Sequence, residues 1–306
     1  MQNKISPLRS PFFYVGDKYK LMPQLLNFFP KNINTYIEPF VGGGSSFLNT
    51  KAKKYILNDI NFYIVELHKF LSLQNENEFF QKIFENIEKY RLSCSLNDKI
   101  PPLLLRQNFK KTYFAKFNKI AYLKLRDDYN ADKTDLLRLY LLLIYGFNHM
   151  IRFNAKNNFN LPVGNVDFNK NVKNALLGYF DFMKKNSVKF YNQNFVEFLQ
   201  NLEICRNDFV YFDPPYFISD SEYNKLWSEF NEKMLYKILN ELNSKNIKWG
   251  VTNLLIHKGK TNKILENFIQ KYKVFKISSN YISFNDNTIK AGSKEVFVTN
   301  YGKSKE

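Results

Sequence analysis

The sequence predicts an α/β protein whose mostly parallel sheet is interrupted by a helical insertion. Three observations lead there. Short β-branched and aromatic runs alternate with segments of helical period. The strand pattern stops in the middle of the 306-residue chain, where helical period takes over. Acidic and proline-rich strings sit at the ends of apolar runs, where open α/β sheets place ligands.

In chain order, Lys18–Pro30 predicts a short helix stopped by Pro30. Thr35–Phe40 predicts a buried strand, and Val41–Thr50 a glycine-rich turn entering a helix. Lys53–Asn61 predicts a second strand ending in an acid, followed by helical spacing from Phe62 to Leu92 and a basic helical stretch from Arg106 to Tyr129. Tyr145–Lys173 is rich in Asn, Gly and aromatics with little periodicity, a long loop of the kind that is usually functional. Strand patterns return at Val188–Phe195 and Asn207–Phe217. A helix over Asn231–Asn243 leads to the strand Ile247–Asn253, and Glu295–Tyr301 closes the fold.

Composition narrows the function classes. An apolar fraction of 44% with 24% charged residues excludes wholesale disorder. No stretch reaches the ~20 apolar residues of a membrane span, and Leu136–Ile144 is short and broken by Arg138. The N-terminal MQNKISPLRSPFF lacks a signal peptide's apolar core, so the chain reads as cytoplasmic. Cys94 and Cys205 form no CxxC or Cys/His cluster, which argues against a disulfide framework or structural zinc. Lys and Arg total 45 against 28 Asp and Glu, a net charge of +17. Such an excess suits a polyanionic partner, although AT-rich coding or a solvated basic surface accounts for it equally well.

Two strings carry chemistry. In Ile37–Ser45, glycines after a strand let backbone approach a ligand closely. Phe47 stands where a dinucleotide fingerprint needs its third glycine, and Asp59 ends the next strand, where acids accept ribose hydroxyls. Together they suggest an adenosine-type ligand without a pyrophosphate; a structural turn with a surface Asp is the bland alternative. The second string, Asp213-Pro214-Pro215-Tyr216, follows the apolar run Phe209–Phe212 and is too specific for an ordinary Asp-Pro turn. His68, His149 and His257 are scattered, and each fits a satisfied or solvent-facing histidine better than a catalytic one.

Taken in order, Tyr14–Lys18, Glu38–Gly44, Asp59, Leu125–Asn130, Gly146–Asn154 with Phe159–Pro162, Asp213–Tyr216 and Glu295–Tyr301 resemble the Dam-type DNA adenine-N6 methyltransferases, bacteriophage members above all. The likeness runs from Ser10 to Tyr301. It implies a Rossmann-like methyltransferase core over residues 1–61 and 183–306 and a helical target-recognition domain over 62–182. It also implies S-adenosylmethionine as cofactor, double-stranded DNA as partner, no metal, and a monomer. A cognate restriction endonuclease would be a functional counterpart outside any complex.

The resemblance assigns Asp213, Pro214, Pro215 and Tyr216 to catalysis. It places Tyr14, Lys18, Phe40, Gly42, Gly44, Asp59, Asn194, Phe195 and Asp213 around the cofactor, with Asn194 replacing a customary Asp and Asp17 a customary Gly. Asn148, His149, Met150, Arg152, Asn154 and Pro162 fall in the DNA-reading block, where Arg152 suits guanine and Met150 and Pro162 a thymine methyl; phosphate clamping by Arg152 and a core role for Met150 are the alternatives. GATC-methylating relatives often carry a Lys before the aromatic at Tyr14 and a base after Pro162. Phe13, Asn165 and Val166 stand there instead, which predicts a target richer in A·T pairs than GATC. The competing functions are cytosine-N4 methylation and a catalytically idle DNA-binding protein on the same fold. Cytosine-C5 methylation lacks its Cys nucleophile.

Overall fold

The computed structural model describes residues 6–219, 227–278 and 292–302. Eight strands form one sheet among them: β1 (Thr35–Glu38), β2 (Lys54–Asn58), β3 (Ser187–Tyr191), β4 (Phe209–Phe212), β5 (Lys248–His257), β6 (Lys260–Thr261), β7 (Lys273–Ile277) and β8 (Lys294–Thr299). The order is β3-β2-β1-β4-β5-β8-β7, with the short β6 paired to β5. Neighbours from β3 to β5 run parallel, while β8 is antiparallel to both β5 and β7. The order reverses between β1 and β4. In open α/β sheets that reversal opens a crevice beyond the strands' carboxyl ends, and the Glu38-Pro39 and Asp213-Pro214 strings stand there.

Among the described residues there are ten α-helices: α1 (Met22–Leu25), α2 (Phe62–Ser72), α3 (Glu76–Tyr90), α4 (Leu103–Asn108), α5 (Tyr113–Ala131), α6 (Leu136–Tyr145), α7 (Lys170–Lys185), α8 (Phe195–Gln200), α9 (Glu229–Ser244) and α10 (Lys263–Phe268). Local chemistry sets their starts. Asn61 and Asn75 each accept two backbone N–H groups as N-caps, and Asn75 divides the continuous helical pattern of Phe62–Leu92 into α2 and α3. Ser228 and Asn231 form a reciprocal capping box that starts α9 two residues ahead of the expected Asn231.

The chain divides into two compact units. One comprises Met1–Tyr19, Gly42–Leu48 and Asn61–Lys185; the other comprises Lys20–Val41, Asn49–Ile60 and Asn186–Glu306. The N-terminal segment and the glycine loop thus group with the helices, while the sheet carries the Asp213 string. The expected domain limits at residues 1 and 306 lie outside the described residues. In the sheet unit, Ile37, Val210, Phe212, Trp249, Val251, Val296 and Val298 share a core with Leu235, Leu239 and Leu242 of α9. Burial of such side chains is worth about 1.5–3 kcal/mol each and holds the strand ends in place.

One expected element is replaced. The glycine loop enters a three-residue 3-10 turn, Phe47–Asn49, and no α-helix. Few residues separate the glycines from β2, so a helical turn has no room to propagate. Among the described residues, no helix is long and apolar enough to cross a membrane.

Candidate active site

In the sheet unit the site starts from Asn58, a fully buried residue at the end of β2. Its amide nitrogen donates to the Pro39 and Gln193 carbonyls (both 3.0 Å), and its oxygen accepts the Gln193 N–H at 2.9 Å. Val41 N–H donates to the Asn58 carbonyl at 2.8 Å. One side chain therefore ties together the loops leaving β1, β2 and β3. It fixes its neighbour Asp59, half-buried with its carbonyl bonded to Asn192 Nδ2 at 2.8 Å. The same loop delivers Asn194, which is exposed and caps α8 by accepting Val196 N–H at 2.9 Å. Phe195 behind it is buried. The half-buried Phe40 ring lies 5.2 Å from Phe195 and 5.5 Å edge-on from Trp227, an aromatic wall of the kind that takes a purine.

Asp213 is half-buried beyond β4, with Pro214 buried and Pro215 half-buried after it. Thr252 of β5 donates to Asp213 Oδ1 at 2.8 Å, and the Tyr211 hydroxyl meets Thr252 Oγ1 at 3.0 Å. Because Thr252 has one proton, Tyr211 donates to it, so an ordered chain of hydroxyls ends on the carboxylate. Burial, together with the charges of Asp213, Glu38 and Glu295, holds the Tyr211 phenol far above its usual range, so it remains a donor. Tyr216 is half-buried and its hydroxyl lies 2.5 Å from Glu295 Oε1 and 3.4 Å from Asp213 Oδ1.

In the helical unit, Tyr14 is nearly buried and its hydroxyl accepts Asn61 Nδ2 at 3.2 Å. Ser10 Oγ donates to the Gly43 carbonyl, and His68 Nε2 donates to the Gly42 carbonyl at 2.9 Å. Gly44 has φ +84°, and a Cβ there would stand 2.3 Å from the Phe47 ring. The aromatic that breaks the dinucleotide fingerprint is therefore the floor under the turn. Lys18 is largely buried and reaches the Gly16 carbonyl at 3.3 Å. Asp17 closes a turn by accepting Tyr19 N–H at 2.9 Å, and burial raises its pKa.

The expected DNA-reading block is a folded-back loop. Phe147 N–H bonds Pro162 O at 2.9 Å and Gly164 N–H bonds Tyr145 O at 2.7 Å. Gly146 is required at this pinch, since a Cβ would stand 2.5 Å from Leu142 O. Asn148 and His149 follow with φ of +52° and +49°, a tight left-handed corner. Asn148, Asn154 and Pro162 are exposed, while His149, Met150 and Arg152 are half-buried. Arg152 donates through Nε and Nη2 to the side chain and backbone of Asn160 at 2.9 and 2.8 Å, which braces the loop. Asn154 Oδ1 accepts the N–H groups of Lys156 and Asn158, both at 3.0 Å. Arg9, which nothing local in the sequence marks, lies 4.4 Å over the Phe13 ring, itself 5.5 Å from His149.

The geometry is thus a carboxylate followed by two prolines at a sheet's reversal point, beside an aromatic wall, and comparison with known proteins names its family. A family model for the D12 class N6 adenine-specific DNA methyltransferases matches residues 14–281. The chain belongs to that family. Its mostly parallel sheet is accordingly that of a Rossmann-like methyltransferase. Among its relatives, the modification methylase StsI of Streptococcus sanguinis is 34% identical over 96% of this chain and 43% of its own length. The type II methyltransferase M.FokI of Planomicrobium okeanokoites is 33% identical over 97% of this chain and 43% of its own. The DNA adenine methylase of Haemophilus influenzae is 30% identical over 67% and 63% respectively. This D12-class chain spans less than half the length of the StsI and FokI enzymes.

Proposed function

We propose that this chain transfers a methyl group from S-adenosylmethionine to the N6 amino group of adenine in a short duplex DNA sequence, acting on a base flipped out of the helix. The observation that carries the reading is Asp213, a carboxylate fixed by Thr252 and followed at once by Pro214, where the sheet order reverses. The exocyclic amine of adenine is a poor nucleophile because its lone pair is delocalised into the ring. The Asp213 carboxylate and Pro214 carbonyl accept its two N–H bonds and concentrate the lone pair on nitrogen. The prolines fix φ, so the carbonyl keeps its aim. The half-exposed Tyr216 ring supplies a stacking face for the extruded base.

The residues beside this centre fit the proposed cofactor: a half-buried Phe40 backed by Phe195 and Trp227 for the purine, the Asp59 carboxylate for the ribose hydroxyls, and the exposed Asn194 amide for the purine edge. We assign Tyr14, Lys18, Gly42 and Gly44 to the same ligand on family likeness. When bound, S-adenosylmethionine supplies an electrophilic methyl group. Asn148, His149, Met150, Arg152, Asn154 and Pro162 form the proposed DNA-reading block.

Expression in a methylation-free bacterial host, followed by single-molecule sequencing of genomic DNA, tests the reading. Modified adenines in one short motif are expected. Modified cytosines would overturn the choice of base, and an unmodified genome with folded protein present would overturn the activity. Asp213→Ala is expected to lower methyl transfer by about 10³-fold or more and to leave duplex binding nearly intact.

A further inference from the structure

Tyr216 has one hydroxyl proton and two carboxylates in reach. Glu295 Oε1 stands 2.5 Å from the phenol oxygen, and Asp213 Oδ1 stands 3.4 Å away, so the proton points to Glu295. Glu295 is the second residue of β8, at 0% exposure, and its Oε2 has no hydrogen-bond partner among the described residues. A buried carboxylate held by so little is costly to fold, and an apolar side chain of its size would be cheaper. Stability therefore does not explain it.

Asp213 already accepts a proton from Thr252 on the same oxygen that Tyr216 approaches. A hydrogen bond from Tyr216 as well would withdraw further charge from the carboxylate and weaken its pull on the amine's N–H bond. Tyr216 is only three residues from Asp213, and without Glu295 its hydroxyl would still have the Asp213 carboxylate within reach. We propose that Glu295 is a positioning residue that holds the Tyr216 hydroxyl proton off Asp213, the carboxylate that acts on the amine, while the ring remains a stacking face. This inference rests on the function proposed above.

Glu295→Leu removes the acceptor at similar volume. It is expected to lower kcat by about ten-fold or more with KM for duplex and methyl donor within about two-fold, whereas Glu295→Gln, whose amide oxygen still accepts, retains at least about a third of kcat. The deciding step adds Tyr216→Phe to E295L. With the diverted hydroxyl gone, kcat should rise about five-fold or more above E295L alone. A double variant no faster than E295L overturns the proposal.

A readout without methyl donor separates ring placement from proton placement. A duplex carrying 2-aminopurine at the target should brighten equally with the parent chain and with E295L. Loss of that signal in E295L would mean the ring itself has moved, and overturns the proposal. If E295L does not fold, Glu295→Met takes its place in each comparison. A parent chain that transfers no methyl group overturns both readings. An active parent matched by an equally active E295L overturns this one alone.

Discussion

His68 shows how far from the chemistry a determining residue can sit. It is fully buried in α2, donates from Nε2 to the Gly42 carbonyl at 2.9 Å, and meets the Tyr179 hydroxyl at 3.1 Å through Nδ1. A carbonyl only accepts, so Nε2 carries the proton and Nδ1 is the acceptor. Burial pushes the His68 pKa down to about 4, and the ring is neutral at pH 7. The sign of the pH dependence follows. The unfolded chain takes up a proton below about 6.5 and the folded chain does so only near 4, so the stability this residue contributes is full above pH 6.5 and is lost as pH falls to 4. The loss approaches about 3 kcal/mol. Urea denaturation at pH 7 and pH 4.5 should show it for the parent, and His68→Asn should flatten the difference; an equal pH dependence in both would show that His68 does not titrate in this way. Such residues explain what the sequence alone left open. Asp213–Tyr216 and Ile37–Ser45 stand out because each is a contiguous string. His68 and Thr252 act across 26 and 39 positions and have no local pattern to reveal them, and Glu295 acts across 79, a reach that its place at the head of the Glu295–Tyr301 string does not show.

At the scale of elements, the strongest unanticipated tie joins α9 to β5. Glu232, fully buried, accepts Trp227 Nε1 and the Tyr236 hydroxyl at 2.6 Å, Asn262 Nδ2 at 2.7 Å and Asn253 Nδ2 at 3.0 Å. Four donors around one carboxylate make its burial tolerable. They also hold Trp227 against Phe40 and Phe195, so the network sets the aromatic wall. Glu232→Ala would strand these donors at about 1–3 kcal/mol each for those that find no water. We expect unfolding free energy to fall by at least about 3 kcal/mol and tryptophan emission to shift red in the folded state. A folded variant of unchanged stability would show that water replaces the carboxylate. The central strands β1, β4 and β5 were visible in the sequence because burial on both sides leaves continuous apolar runs. β7 was not: Lys273–Ile277 alternates half-buried and exposed positions up to the buried Ile277 at the sheet's edge and offers no apolar run. The glycine loop misled in the opposite direction, because a strand followed by glycines resembles a nucleotide turn while Phe47, buried beneath Gly44, ends it after a single 3-10 turn.

At the scale of the whole chain, charge and specificity meet. A net charge of +17 implies that duplex binding releases counterions, so the logarithm of the binding constant should fall linearly with the logarithm of salt concentration, by about 0.9 per phosphate contacted. A flat salt dependence would remove nucleic acid as the reason for the charge. Which sequence is methylated depends on the side chains left over for base edges. Asn165 accepts the N–H groups of Phe114 and Ala115 at 2.9 and 3.3 Å and so helps fix the start of α5, a structural task in the place where GATC-methylating relatives carry a base. Phe13 lies beneath the Arg9 guanidinium and cannot donate to guanine. Arg152 directs two of its donors to Asn160, which leaves it fewer for a bidentate contact. Guanine needs such donors in the major groove, whereas thymine is read by apolar contact, which Met150 and the exposed Pro162 can provide. The methylated motif should therefore lie outside GATC and carry more A·T pairs around the target adenine. Arg152→Ala should cost about 1–3 kcal/mol in binding if Arg152 reads a base, with relaxed specificity at one position, and should weaken all duplexes alike if it clamps phosphate. Methylation confined to GATC would mean that guanine is read by donors other than these, with Arg9 the first to substitute.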